Sequence, residues 1–253
     1  MKAFLASYRN EWCKLMLRKK YIVFLCAGAG MDILWILLGR LAAAAAERQI
    51  EGLSLFLTPT PMGALPFFLQ IVIPFLIFMG VTDLITVECS ESTMRAILCR
   101  PVERWKLYAS KILAVVTYTA AYLVCVFAIS IASNQLFGSP LGVEAVFFTF
   151  ISYTLPLIPL TVLACFAALV ALLGRSGTLT MLLLLLLYLA LNLLSAFFPV
   201  LSEMLFTSYL GWYKLWIGAL PRASKLVHML IIVLGYGTVF FIAGSLFFDR
   251  KEY

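Results

Sequence analysis

Charged residues are scarce in this sequence, and the patterns of the common catalytic centres are missing. Only 12% of the 253 residues are charged, and His228 is the single histidine. Gly-Lys never occurs as a dipeptide, which excludes a P-loop of the Walker A type, and neither HExxH nor GxSxG is present. We therefore expect no catalytic residues on this chain.

Cysteines are few and are not spaced as metal ligands. No CxxC pair occurs, and the lone histidine has no metal-ligating partner at a suitable spacing. We expect no metal or other cofactor on the chain, and six reduced cysteines with structural roles: Cys13, Cys26, Cys89, Cys99, Cys125 and Cys165.

Apolar residues make up 64% of the chain, against about 45–50% in soluble domains. This composition predicts an all-α membrane protein with several spans, because only helices and closed barrels satisfy the backbone in lipid. The formal net charge of +7 lies in the segments between spans. Orientation in the membrane and contact with anionic lipid headgroups explain this charge better than nucleic acid does.

Six apolar segments reach the ~20 residues that a helix needs to cross a bilayer. An amphipathic helix over residues 1–20 precedes a six-span domain over residues 21–253. The predicted spans one to six are Tyr21–Leu41, Ala64–Val87, Ala109–Ser133, Ala145–Leu173, Thr178–Phe198 and Leu226–Phe248.

Basic residues predict the orientation of the spans, since Lys and Arg near span ends stay in the cytoplasm. With both termini inside, 14 basic residues lie on the cytoplasmic side and five on the outer side; the five are Arg40, Arg48, Lys214, Arg222 and Lys225. We therefore expect cytoplasmic termini.

The N-terminal helix has an apolar stripe that predicts a position in the inner membrane interface. Its role is a membrane anchor, a lever that links span one to a cytoplasmic partner, or both. The stripe comprises Phe4, Leu5, Tyr8, Trp12, Leu15 and Met16, and the residues outside it are Arg9, Asn10, Lys14 and Arg18.

Two other segments depart from a simple span pattern. Pro156 and Pro159 predict a kink in span four, which either serves packing or lines a cavity. The segment 199–225 is rich in Trp and Tyr, which favours a re-entrant or interfacial helix on the outer side.

Polar residues within the spans are candidates for a translocation pathway. Asp32 lies ~16 Å into span one, near the bilayer midplane, so it contacts substrate, binds a cation, or packs as a protonated or hydrogen-bonded residue. Asp83 is expected to be a water-accessible charge near the end of span two. We predict that Asn192 in span five forms a hydrogen bond to another helix, within the chain or across a dimer.

The segment 88–111 resembles the cytoplasmic loop of ABC-2 type permeases, the membrane subunits of ATP-driven exporters. In that family the loop has acidic residues, Gly-Thr, an apolar run, a proline, an arginine and a lysine. The corresponding residues here are Glu88, Glu91, Ser92-Thr93, Ile97-Leu98, Pro101, Arg104 and Lys111. The N-terminal helix, the six spans, the aromatic segment and the ending Phe247–Lys251 also follow the family architecture.

The resemblance implies a dimer of permease subunits, each docked on a separate P-loop ATPase that carries ATP and Mg²⁺. The loop would be the coupling helix that enters the ATPase, with contacts from Glu88, Glu91, Thr93, Arg95, Pro101 and Arg104. It further implies a bacterial cytoplasmic membrane and an amphipathic substrate, a peptide antibiotic or a lipid-like molecule. The chain also resembles the small permeases of antimicrobial-peptide resistance and immunity systems.

Two alternatives remain open at this stage. One is a secondary transporter driven by an ion gradient, with Asp32 as the coupling residue. The other is a membrane immunity or sensor module that binds a ligand and transports nothing.

Overall fold

The structure, a computed structural model, describes residues 2–46, 60, 62–91, 103–137, 142–198, 202, 204–216 and 223–251. Within these ranges the chain is helical and contains no strand. The helices are α1 (Lys2–Leu17), α2 (Lys19–Ala46), α3 (Leu65–Ser90), α4 (Arg104–Phe137), α5 (Val143–Thr154), α6 (Leu157–Leu173), α7 (Gly177–Phe197) and α8 (Ala223–Arg250).

Six helical stretches are long and apolar enough to cross a membrane. They are α2, α3, α4, α5 together with α6, α7 and α8, which confirms the six predicted spans. The amphipathic segment is also helical, and a bend at Arg18 separates α1 from α2. Many large apolar side chains on α2, α7 and α8 are exposed in the isolated chain, as lipid-facing positions would be.

Helix α6 lies at the centre of the bundle, where it contacts α3, α4 and α8. Four of its ten buried residues are alanines, and small side chains let helix backbones approach closely. These alanines are Ala164, Ala167, Ala168 and Ala171.

Helix α3 contains two π-helical stretches, Phe68–Val72 and Thr82–Val87. Pro74 follows the first stretch and has no N–H to donate to the carbonyl of Gln70, four residues earlier. The hydroxyl of Tyr188 on α7 donates to that carbonyl instead, at 2.9 Å. The irregular backbone of α3 is therefore fixed by a side chain from another span.

The fourth span is broken at Leu155 and Pro156, where the sequence predicts a kink. Pro156 caps the start of α6, and Pro159 lies in the first turn of that helix. A first-turn proline costs little, because the N–H it lacks has no partner within the helix.

The aromatic segment forms a 3₁₀ helix, Phe206–Trp216, which packs against α5, α6, α7 and α8. The ring of Phe206 lies 5.4 Å from that of Phe166 and 5.6 Å from that of Phe240. Tyr209, Trp212 and Tyr213 are also buried, so the segment belongs to the core of the bundle rather than to its surface.

One end of the bundle, termed the charged end, contains the ends of α3, α6 and α8 and the start of α4. Cations and hydroxyls cap the helix carbonyls there, as expected at helix C-termini. Arg104 donates to the carbonyl of Asp249 at 2.8 Å, Thr86 to that of Ala171 at 3.0 Å, and Lys251 to that of Leu172.

Candidate functional site

Four charged side chains meet at the charged end and form the charged quartet: Glu11 and Lys14 of α1, Glu88 of α3 and Lys111 of α4. Lys111 Nζ lies 2.6 Å from Glu88 Oε2 and 3.2 Å from Glu11 Oε2. Lys14 Nζ lies 2.7 Å from Glu88 Oε1 and 2.9 Å from Glu11 Oε1. Each lysine therefore bridges both carboxylates, and the net charge is zero.

Burial makes the charged quartet unusual. The residues Glu11 and Lys111 are each 1% exposed, and only the Lys14 side chain, at 28%, reaches the surface. Removing an ion from water costs several kcal/mol, and excellent geometry is needed to offset it. Every carboxylate oxygen of the quartet accepts a bond from a lysine, so this requirement is met.

The pKa of Lys14 shows the balance of forces within the quartet. Its partial burial lowers the pKa, but hydrogen bonds and charge interactions with Glu88 and Glu11 outweigh burial and raise it above 10.5. The ammonium form is therefore stabilised by its partners at neutral pH.

A second cluster lies one turn deeper in α3 and is centred on Asp83. Its carboxylate accepts a hydrogen bond from the hydroxyl of Tyr21 at 2.7 Å, lies 3.1 Å from Arg18 Nη1, and also pairs with Lys20. Asp83 is buried. The prediction of a water-accessible charge at Asp83 is therefore wrong, because the bend between α1 and α2 brings basic residues over it.

The side of α1 that faces the bundle carries Tyr8, Trp12 and Leu15 of the apolar stripe, and charged residues join them. Lys14 and Arg18, placed outside the apolar stripe by the sequence pattern, point at carboxylates of α3, while Leu5 of the stripe is exposed. Glu11 had no assigned role, although its spacing of three from Lys14 is that of a helical ion pair. Contacts of Tyr8 with Thr117 at 3.1 Å, and of Ser7 with Ser110 at 3.0 Å, align α1 with α4.

The remaining residues of the predicted coupling segment divide into two groups. Glu91 is exposed at the end of α3, and Arg104 is engaged with the end of α8. Thr93, Arg95 and Pro101 lie outside the described residues. The structure thus brings Glu88 into the buried charged quartet, and it leaves Glu91 on the surface.

A cavity of about 810 Å³ lies between α2, α3 and α7. Phe24 and Met31 of α2, Phe75 of α3 and Leu193 of α7 are among its mostly apolar lining residues. The polar lining residues are Gln70, Tyr188 and Asn192. This size and composition are typical of a site for a small, largely apolar molecule.

Among the candidate pathway residues, Asn192 alone lines this cavity. Its amide donates to the carbonyl of Tyr188 at 2.8 Å, one turn earlier in α7. Among the described residues Asn192 makes no hydrogen bond to another helix, and the alternative of a bond across a dimer stays a prediction. Pro156 and Pro159 are buried at the start of α6, and Asp32 is buried on α2, away from the cavity lining.

Metal ligands are not clustered anywhere in the described ranges. There is no group of three or more His, Cys, Asp or Glu residues there that could hold a metal ion. The described cysteines are Cys13, Cys26, Cys89, Cys125 and Cys165, all unpaired thiols.

Six helices that are long and apolar enough to cross a membrane define a multi-pass helical membrane protein. The chain belongs to the family described as "Protein of unknown function (DUF2705)", which matches residues 53–253. A search of curated proteins finds no match to this chain. The charged quartet thus joins two residues inside the matched region to two outside it.

Proposed function

We propose that this chain is the permease subunit of an ABC-2 type exporter, driven by ATP hydrolysis on a separate subunit. The observation that supports this most directly is the charged quartet. Glu88 and Lys111 flank the segment that resembles a coupling loop, and both are tied to α1. A force on that segment would therefore be transmitted to α1 as well as to α3 and α4.

The transmission would continue through the Asp83 cluster. Asp83 holds Arg18 and Lys20 at the bend between α1 and α2, and the hydroxyl of Tyr118 on α4 donates to the carbonyl of Tyr21 at 2.9 Å. A displacement of α1 would thus reach α2, which lines the apolar cavity. Packed interfaces of this kind switch between discrete arrangements rather than deform continuously.

The substrate would be amphipathic and would bind in the cavity between α2, α3 and α7. Its apolar part would contact Phe24, Phe75 and Leu193, and its polar group would approach Gln70 and Asn192. A peptide antibiotic or a lipid-like molecule fits this description. A second permease subunit beside α2 and α7 would enclose the open side of the cavity.

The orientation follows from the basic residues. We place the charged end in the cytoplasm of a bacterial cell, because cytoplasmic segments carry an excess of Lys and Arg. Helix α1 would lie at the inner interface, with Leu5 and Leu17 exposed towards lipid and Arg9 at headgroup depth. The ATPase would then dock below Glu91 and the segment that follows it.

Co-purification tests this proposal. The tagged chain is purified in mild detergent from its native membrane, and co-purifying proteins are quantified by mass spectrometry. We expect a P-loop ATPase in near-equal amount, and a charge reversal, Glu91→Lys, should reduce it several-fold while the chain remains folded. An electrostatically steered interface is sensitive to such a reversal at its surface.

The matched control is Glu144→Lys, which makes the same change at an exposed position at the opposite end of the bundle. It should leave the ATPase bound. A chain that purifies alone under several gentle conditions would contradict the proposal and favour a gradient-driven transporter or a ligand-binding module.

A further inference from the structure

Asp32 is a buried carboxylate without the partners that the charged quartet provides. It is 0% exposed, and neither carboxylate oxygen accepts a well-formed hydrogen bond from any described residue. It lies in the middle of α2, where water cannot solvate it. An ionised carboxylate at such a position is costly unless a positive charge is bound beside it.

The groups around Asp32 are hydroxyls. Ser130 of α4 faces the carboxylate, and Tyr122 of α4 and Tyr153 of α5 lie close enough to interact with it electrostatically. The hydroxyl of Tyr122 is itself buried without a hydrogen-bond partner among the described residues. Tyr122 and Asp32 therefore lie near each other without a direct hydrogen bond.

The backbone of α2 is adapted to this arrangement. A Cβ atom on Gly28, one turn before Asp32, would lie 1.8 Å from the Tyr122 hydroxyl. Glycine at this position lets the hydroxyl reach α2 on the face that carries Asp32. Four other polar side chains of α4 and α5 are also buried: Ser133, Asn134, Thr149 and Ser152.

We propose that Asp32, Tyr122, Ser130 and Tyr153 form a binding site for a small alkali-metal cation such as Na⁺. One carboxylate supplies the compensating charge, and all candidate ligands are oxygens, which hard cations prefer. The Asp32 carboxylate oxygens and the Tyr122 hydroxyl are buried without a hydrogen-bond partner among the described residues, so these oxygens are available to a cation.

This site is distinct from the apolar cavity and from the charged quartet, and the proposal does not depend on an ATPase partner. Gly28 lines the cavity and also lies against Tyr122, so it stands between the cavity and the Asp32 site. An ion at Asp32 would stabilise the contact of α2 with α4 and α5.

Thermal unfolding of the purified full-length chain in detergent tests the proposal. The midpoint is measured against NaCl concentration, with choline chloride keeping ionic strength constant, and parallel series use KCl and LiCl. We expect the midpoint to rise with Na⁺ and then level off, because a ligand that binds only the folded state stabilises it by mass action. The rise should be absent in choline.

Matched variants assign the effect to the site. Asp32→Asn should abolish the Na⁺ dependence, whereas Asp249→Asn makes the same change at an exposed aspartate and should leave it intact. Tyr122→Phe removes one hydroxyl and should raise the half-saturating Na⁺ concentration about tenfold. This is the lower end of the loss in metal affinity that follows when a group supporting a metal site is removed.

A second measurement, ²²Na⁺ binding by scintillation proximity on the immobilised protein, guards against a variant that fails to fold. Saturable binding by the unaltered chain, weakened in Tyr122→Phe, supports the site. An unfolding midpoint that is the same in Na⁺, K⁺, Li⁺ and choline, with no saturable ²²Na⁺ binding, would overturn it. In that case a bound proton neutralises the Asp32 carboxylate, or an ordered water donates hydrogen bonds to it.

Discussion

Two sets of buried carboxylates in this protein have opposite surroundings. Glu11 and Glu88 lie at the charged end with two lysines, so that every oxygen has a partner. Asp32, in the middle of α2, is fully buried among hydroxyl groups, and its oxygens have no such partner. Burial alone therefore does not tell what a charged residue does in a membrane protein.

The two arrangements differ in the net charge that their side chains carry. The charged quartet is neutral by itself and joins three helices, so its role is to fix α1, α3 and α4 relative to one another. The Asp32 region carries an uncompensated charge when ionised, so the carboxylate must take up either a proton or the cation that we propose. Variants that remove an ion-pair partner should thus strongly destabilise the charged quartet. Variants that change the shape of the Asp32 site should lower stability through the contacts around Asp32.

The largest effect is expected from Lys111→Met, which leaves two buried carboxylates with a single lysine. Removing one member of a buried ion pair destabilises proteins by about 3–5 kcal/mol. The measurement is the unfolding midpoint in detergent. Lys106→Met is the control, since Lys106 pairs with the exposed Glu103 at the surface and should change the midpoint little.

The double variant Lys111→Met with Glu11→Met sharpens this prediction. It removes one charge of each sign and leaves the Lys14–Glu88 pair, whose atoms lie 2.7 Å apart. Neutral replacement of a buried pair is often tolerated, so the double variant should be more stable than Lys111→Met alone. A double variant less stable than either single variant would show that the four charges do not act as one neutral unit.

The spans were predictable from the sequence, whereas the charged quartet was not. Hydropathy over ~20 residues is a local property, and all six predicted spans are helices in the structure. The quartet depends on how α1 is rotated about its axis, which is set by contacts with residues about a hundred positions later, such as that of Glu11 with Lys111. A sequence pattern assigns Lys14 to the water face because it cannot show that Glu88 is its neighbour.

Asp32 and Asn192 show how far a single polar residue in a span can be interpreted. A charge near the midplane must be buried in protein, and Asp32 is. An amide in a span satisfies its donors where it can, and Asn192 does so within its own helix through the carbonyl of Tyr188. The cavity that Asn192 lines depends on the spacing of three helices, which no local pattern specifies.

An intermediate effect is expected from Gly28→Ala, which disturbs the Asp32 site from the side of α2. The added methyl group would overlap the Tyr122 hydroxyl, and overpacking of this kind costs about 1–3 kcal/mol. Gly30→Ala is the matched control, since a Cβ there meets nothing within 4 Å. Unfolding midpoints of the two variants are compared.

Removing the hydroxyl tests whether the overlap is the cause. Tyr122→Phe should restore part of the stability that Gly28→Ala loses, because the hydroxyl oxygen is the nearest atom to the added group. Equal midpoints for Gly28→Ala and Gly30→Ala would mean that α2 and α4 are not packed as closely as the structure describes.

The smallest effect concerns the pH range over which the charged quartet remains charged. The pKa of Lys14 is raised above its unfolded value of 10.5, since Glu88 and Glu11 outweigh the opposing effect of burial. For a group whose folded-state pKa is raised, the stabilisation is fully present below the unfolded pKa and is lost as pH rises through the folded-state pKa. The stabilisation that the Lys14 charge contributes should therefore be constant at neutral pH and fall only above pH 10.5.

The variant Lys14→Arg keeps its charge in this alkaline range. As pH rises above 10.5, the unfolding midpoint of that variant should therefore fall less than that of the unaltered chain. Parallel curves for the two proteins in strongly alkaline buffer would show that loss of the Lys14 charge does not contribute to the loss of stability.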